Sequence, residues 1–300
     1  MLPAKSWKTE AVARLLASVF LCIYAGTLLA AALPLALAGQ LGPRAATVSG
    51  TAALCLVGTL VLVRRSWPLE RFMTWLGCTV ALFYAGVFLA AWAQKLIGRV
   101  EPSAAQMAIA ALSFQGAAVW LVARFLREQG VGWNEGFGFR ERWRAALLTG
   151  ILLACIFLPI GWALQWLSTE AITRLMPWKG EPAEQQAVQT LRMASGWLPR
   201  SVLGVVTIVL APAAEELLFR GVLLTWIRQW GYPKLALWGT SILFALIHLN
   251  TATFLPLLVL ALLLARLYER TGNLLAPIAA HALFNAFNFT MLYLLHRGGH

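Results

Sequence analysis

The sequence predicts an all-α protein, a polytopic transmembrane helix bundle of about eight to nine spans. Three observations predict it. The 300-residue chain is 60% hydrophobic and 12% charged, against roughly 25% charged residues in soluble domains. Its mean hydropathy is +0.73. Apolar runs fall at about 15–38, 46–63, 72–97, 105–123, 145–167, 201–226, 235–249, 254–268 and 273–295. Most approach the roughly 20 residues that cross a bilayer. They are far too long for barrel strands, so helices are what satisfies the backbone in lipid.

Taken in order, the chain opens on a basic start followed by an apolar run too long for a signal peptide, which makes a first span. Cys22, Cys55, Cys78 and Cys155 all sit inside apolar runs without a CxxC spacing. They read as small core residues rather than disulfides or metal ligands. The net charge of +12 does not point to nucleic acid, because the basic residues lie between apolar runs and not in one patch. They act as topology signals instead. With the N-terminus inside, fifteen Lys and Arg fall in inner segments and eight in outer ones, so the bias sets a cytoplasmic N-terminus.

Two connections are long. Residues 124–144 include GVGWNEGFGFRERW. Its glycines do not follow a strand, which argues against a phosphate loop. A basic interfacial loop with Trp anchors is expected. Residues 168–200 are the longest polar stretch, with Ala187, Val188, Leu191 and Ala194 at helical spacing. A short helix on the membrane surface is expected there, as a passive linker or a gate. His296 and His300, in the tail HRGGH, read as a solvated end.

The run 201–226 contains APAAEELLFRG, and its only charges are Glu215, Glu216 and Arg220. Each such group costs about 2.5–3.5 kcal/mol at a bilayer centre. Glu216 and Arg220 are four apart and share a helix face, so they can pair. Glu215 lies about 100° further round and has no local partner. The pair can be a packing ion pair; the unpartnered Glu215 is the candidate for chemistry. His248 and His281 also lie inside apolar runs, and Asn285 shares a face with His281. At 1.5 Å per residue, Glu215 lies about 20 Å from the inner-end charge Arg228, His248 about 21 Å from Lys234, and Asn285 about 22 Å from Arg270. All can meet at one level. A helix break at Pro212 would blur these distances. The runs 235–249 and 254–268 are short, about 15 residues each against roughly 20, so their turn, LNTATF, is expected to dip into the membrane.

A glutamate and a histidine around one water can make it a nucleophile. A second histidine and an asparagine can stabilise the tetrahedral oxyanion of amide hydrolysis. The set has no obvious Ser or Cys nucleophile, which favours direct attack by water. Zinc held by Glu and His is the rival, although no HExxH motif is present. Two non-enzymatic readings stand beside these. One is a membrane partner or immunity-type protein with a structural polar cluster. The other is a transporter or proton relay, for which inverted repeats would speak and none is seen.

These residues resemble a known family. Glu215-Glu216-x-x-x-Arg220, Phe244-x-x-x-His248 and His281-x-x-x-Asn285, in that order, are similar to the three motifs of the CPBP proteins, the CAAX protease or ABI family. The resemblance covers roughly residues 198–295. The family includes the type II CAAX prenyl endopeptidases, all-helical glutamate-type intramembrane proteases. It implies that Glu215 and His248 activate the water, that His281 and Asn285 form the oxyanion site, and that Glu216 and Arg220 support the first glutamate. Phe244 matches the aromatic of the second motif.

The expectation is therefore an N-terminal transmembrane region, 1–197, of unassigned role, followed by a CPBP-like protease core, 198–296. The expected activity is endopeptidase cleavage of a membrane-associated protein or peptide in the lipid bilayer, with no cofactor unless zinc serves and no nucleic-acid partner. The expected location is a bacterial inner membrane.

Overall fold

Runs of Ala and Leu punctuated by a few caps give helices, and a computed structural model shows only helices among the residues it describes. Those are 6–37, 43–64, 103–175, 186–194 and 196–297. The elements are α1 (Thr9–Leu37), α2 (Pro43–Arg64), α3 (Ala104–Glu128), α4 (Trp133–Phe137), α5 (Trp143–Leu175), α6 (Gln186–Met193), α7 (Trp197–Gln229), α8 (Pro233–Leu246), α9 (Thr251–Thr271) and α10 (Leu275–Arg297). Local chemistry sets their ends. Ser103 and Gln106 close a capping box at the start of α3. The Asn250 side chain accepts from Thr253 N at 3.0 Å and starts α9. Gly272, at φ 64°, ends it in the left-handed conformation that glycine adopts freely.

Six of these helices carry stretches long and apolar enough to cross a membrane: α1, α3, α5, α7, α9 and α10. Gly50–Leu62 within α2 and the whole of α8 are shorter apolar helices. The protein is an all-α polytopic membrane bundle. Eight of the nine expected runs fall on these helices, and the run 72–97 and Cys78 lie outside the described residues.

Three expectations need correction. The run 254–268 is not a short element: polar residues at both ends extend α9 to 21 residues. Of these two runs α8 alone, at 14 residues and about 21 Å, falls short of a bilayer. The connection expected over 168–200 begins later, because α5 continues to Leu175. Cys155 is exposed on α5, whereas Cys22 and Cys55 are buried. The short helix expected near 187–194 is present as α6.

The chain forms two compact units. One comprises Lys8–Gln129 and Met193–Val206. In it α1 packs on α2 through Leu21, Tyr24, Leu28 and Cys55, and on α3 where Gly26 meets Ser113 with no room for a Cβ.

The other unit comprises Met1–Trp7, Gly130–Arg192 and Thr207–His300. Here α5 turns a stripe of small residues, Ala146, Gly150 and Ala154, inward. A Cβ on Gly150 would lie 2.4 Å from the Ala276 carbonyl of α10. Such close backbone approach is how small residues drive helix pairing without a hydrophobic force. Leu148, Ile151, Leu152, Ile156 and Ile160 face outward on the same helix, as a lipid-facing side requires.

The expected interfacial loop is partly a packed plug. Trp133 and Trp143 are exposed, but Phe137 is fully buried and its carbonyl accepts from Leu274 N at 2.9 Å. Asn273 donates to the carbonyls of Phe139 and Glu141. Trp7 completes this end, donating from Nε1 to Gly221 O at 3.1 Å and to Thr225 Oγ1 at 2.7 Å.

Candidate active site

The site is built on α7. Pro212 does not break this helix, which runs on through π-helical turns at Val206–Leu210 and Leu217–Leu224. A π turn absorbs an irregular hydrogen-bond ladder and re-aims the side chains around it. Between the two lie Glu215 and Glu216, in a segment buried from Ala214 to Leu224.

Glu216 is fully buried and is the hub. Its Oε1 accepts from Arg220 Nη1 at 2.8 Å and from His281 Nδ1 at 2.9 Å. Its Oε2 is also buried and has no protein partner. Arg220, 1% exposed, donates from Nη2 to Ala261 O of α9 at 3.1 Å and stacks over the Phe244 ring of α8, 4.7 Å from the centroid. The pairing expected from the four-residue spacing is therefore present, and two neighbouring helices close around it.

Glu215 lies a third of a turn away, and its Oε2 is 3.8 Å from His281 Nε2. His281, 3% exposed, thus stands between the two carboxylates, near Glu216 through Nδ1 and near Glu215 through Nε2. Glu216 is ionised against Arg220 and can only accept, so Nδ1 of His281 carries a hydrogen. Two carboxylates against one guanidinium leave one formal negative charge when the ring is neutral.

Phe244 joins the remaining members. Its ring is 0% exposed and meets His281 edge-on at 5.7 Å, Phe219 edge-on at 5.3 Å and His248 at 4.9 Å. His248 sits just past the end of α8, with Nδ1 2.7 Å from Phe244 O. A carbonyl only accepts, so this contact fixes the hydrogen on Nδ1 and leaves Nε2 with its lone pair in the neutral ring. Asn285, one turn beyond His281 on α10, donates from Nδ2 to Thr207 O at 3.0 Å, within the first π turn. Its second amide hydrogen is not used in that bond.

The structure thus brings Glu215, Glu216, Arg220, Phe244 and His281 into one contact network. His248 joins it through Phe244 and Asn285 through the α7 backbone. Ala261, Thr207 and Phe219 are partners that sequence reasoning missed. Two act through backbone carbonyls and carry no side-chain signal; Phe219 differs little from the apolar residues around it. Among the described residues, no three of His, Cys, Asp or Glu are grouped to hold a metal ion.

Comparison with known proteins bears on the same helices. Residues 197–287 match the family model of the Rce1-like proteins, described as type II CAAX prenyl endopeptidase. The resemblance drawn from the three motifs is borne out over that segment. The chain is also 37% identical over 92 residues to YpbD, an uncharacterized protein of Bacillus subtilis (strain 168). That match takes in 29% of this chain and 44% of the relative, so the chain spans less than half the relative's length. No solved structure matches the chain.

Proposed function

We propose that this protein is an intramembrane endopeptidase that hydrolyses a peptide bond of a membrane-associated protein or peptide, using a water activated by Glu215 and His248. The observation that carries this reading is His281 held between Glu215 and Glu216, inside the segment that matches the Rce1-like family model.

In the proposed reaction the water oxygen attacks the scissile carbonyl carbon while its proton passes to Glu215 or to the Nε2 lone pair of His248. The tetrahedral oxyanion takes a hydrogen bond from the free amide hydrogen of Asn285 and one from His281 Nε2. Only the doubly protonated His281 ring can donate from Nε2, and that form brings the formal charge of the cluster to zero. The stored proton then goes to the leaving nitrogen as the C–N bond breaks. Glu216, Arg220 and Phe244 are positioning residues that hold His281 and the helix carrying Glu215. No metal is part of this scheme. The proposed setting is a bacterial inner membrane with a cytoplasmic N-terminus, following the distribution of Lys and Arg.

The test is proteolysis of labelled membrane-anchored peptides in liposomes, comparing wild type with Glu215→Ala and His248→Ala, with and without a zinc chelator. The expected outcome is cleavage by wild type, unaffected by chelator, and a loss of about 10²–10⁴-fold in each folded mutant. Normal cleavage by either mutant would overturn the role of the residue it lacks. Loss with chelator and recovery with zinc would replace the scheme with metal-assisted hydrolysis.

A further inference from the structure

Trp7 stands far outside the segment that matches the family model, yet it belongs to the same compact unit as the candidate site. It is 3% exposed and lies along one stripe of α7 made by Gly221, Thr225 and Gln229, spaced four residues apart. The Gln229 amide brackets its backbone. Oε1 accepts from Trp7 N at 2.6 Å, and Nε2 donates to Trp7 O at 2.7 Å. The indole N–H is directed at the Gly221 carbonyl, 3.1 Å away, and at Thr225 Oγ1, 2.7 Å away.

The Gly221 carbonyl lies inside the second π turn, Leu217–Leu224. In a regular α-helix it would accept from the N–H of Thr225. That N–H goes to Val222 O instead. Side chains take its place at the carbonyl: the Thr225 hydroxyl at 2.6 Å and the Trp7 indole. By donating to Oγ1 as well, the indole leaves the hydroxyl hydrogen for the helix carbonyls. A buried carbonyl left without a donor is costly, so these two side chains offset what the irregular turn gives up. Thr225 belongs to α7 itself; the indole is the donor that comes from outside the helix. Phe137 closes the other side of Gly221, where a Cβ would come within 2.7 Å of its ring. That ring lies 6.3 Å from the Trp7 ring.

We propose that Trp7 is a positioning residue for the site. It holds α7 in its π-helical turn and so keeps Glu216 and Arg220 in register with His281. The chain of contacts is short. Arg220 directly precedes Gly221, Arg220 donates to Glu216, and Glu216 accepts from His281. Return of 217–224 to regular pitch would give the Gly221 carbonyl back to Thr225 N. It would also rotate Arg220 about the helix axis, away from the Ala261 carbonyl and the Phe244 ring. Hydrogen bonds from outside the helix oppose that return, and Trp7 supplies them. For catalysis this rests on the endopeptidase reading; the dependence of the His281–Glu216 contact on Trp7 does not.

The experiment compares wild type with three variants of the full chain. Trp7→Phe keeps an aromatic ring and removes the indole N–H. Thr225→Val removes the partner hydroxyl at nearly constant volume, and Thr225→Ser keeps it. Each protein carries histidine labelled at the ring nitrogens and is read by NMR in detergent micelles. Only four histidines are present, and the His281 signal is assigned by its loss in His281→Gln. Trp7→Phe and Thr225→Val should move that signal towards its position in Glu216→Gln, while Thr225→Ser stays at the wild-type position. In the peptide cleavage assay the same two variants should lose about tenfold in kcat, the scale of one hydrogen bond, at unchanged KM. Thr225→Ser should cleave as wild type does. Folded variants that lose stability but keep the wild-type His281 signal and kcat would overturn the proposal and leave Trp7 a packing residue. Should Trp7→Phe fail to fold, Thr225→Val decides, and an unmoved His281 signal there would overturn it. If wild type cleaves no peptide, the endopeptidase reading fails and the histidine spectra alone decide the role of Trp7.

Discussion

Each unit buries one arginine against one glutamate, and the two pairs are left unmet in opposite senses. Arg220 and Glu216 share one face of α7 and are both within 1% of full burial. The guanidinium has Glu216, the Ala261 carbonyl and the Phe244 ring around it. What remains over is an acceptor, Glu216 Oε2. Arg14 reaches across to Glu128 on another helix, and what remains there is donors, Arg14 Nη1 and Ser18 Oγ. A spare buried acceptor calls for an O–H or N–H, as a water supplies. Spare buried donors call for an acceptor, which a water oxygen also supplies. The sign of the unmet group, more than the presence of a buried charge, distinguishes a site that needs a donor from one that needs an acceptor.

The largest effect that tests this contrast is on stability. Arg220→Met leaves the Glu216 carboxylate in a buried site with only His281 to answer it. Removing one partner of a buried pair costs about 3–5 kcal/mol. Arg14→Met leaves Glu128 half in solvent, where the loss should stay within about 1 kcal/mol. Unfolding of both variants by SDS in mixed micelles measures the difference. Equal destabilisation would show that Arg14 is as structural as Arg220 and break the comparison.

A smaller effect falls on the ring that joins the motifs. Phe244→Leu keeps an apolar side chain but removes the face under Arg220 and the edge contacts to Phe219 and His281. The desolvated cation–π and aromatic contacts are together worth about 2 kcal/mol. The same unfolding assay should register that loss. A cost of a few tenths at Phe244 would mean that the ring only fills space.

How much of the fold and the site is legible in the sequence follows from how local each signal is. The helices are legible because an apolar run of bilayer length has few other structures open to it. The Glu216–Arg220 pair is legible because four residues is one helical turn. The approach of His281 is legible only as a matter of depth along three helices, and its side-by-side contact with both glutamates is not. The Pro212 irregularity is visible, yet its resolution into π turns depends on neighbours, among them Asn285 bonding Thr207 O. Trp7 holds Gly221 and Thr225 from more than 210 residues away. No periodic pattern encodes such a contact. The full extent of α9 is hidden because polar residues at its ends mask a helix that its caps define.

The smallest stability effect falls on the half-exposed partner of the second pair. Glu128→Gln removes the negative charge that faces Arg14 while keeping a side chain of nearly the same shape. The pair it breaks is half exposed on the glutamate side, and pairs of that kind contribute about 0–1 kcal/mol. The melting temperature should therefore hardly move. Arg14 would keep an amide oxygen as partner for Nη2. A marked loss of stability would show that the Arg14–Glu128 pair is a structural fixture like Arg220–Glu216.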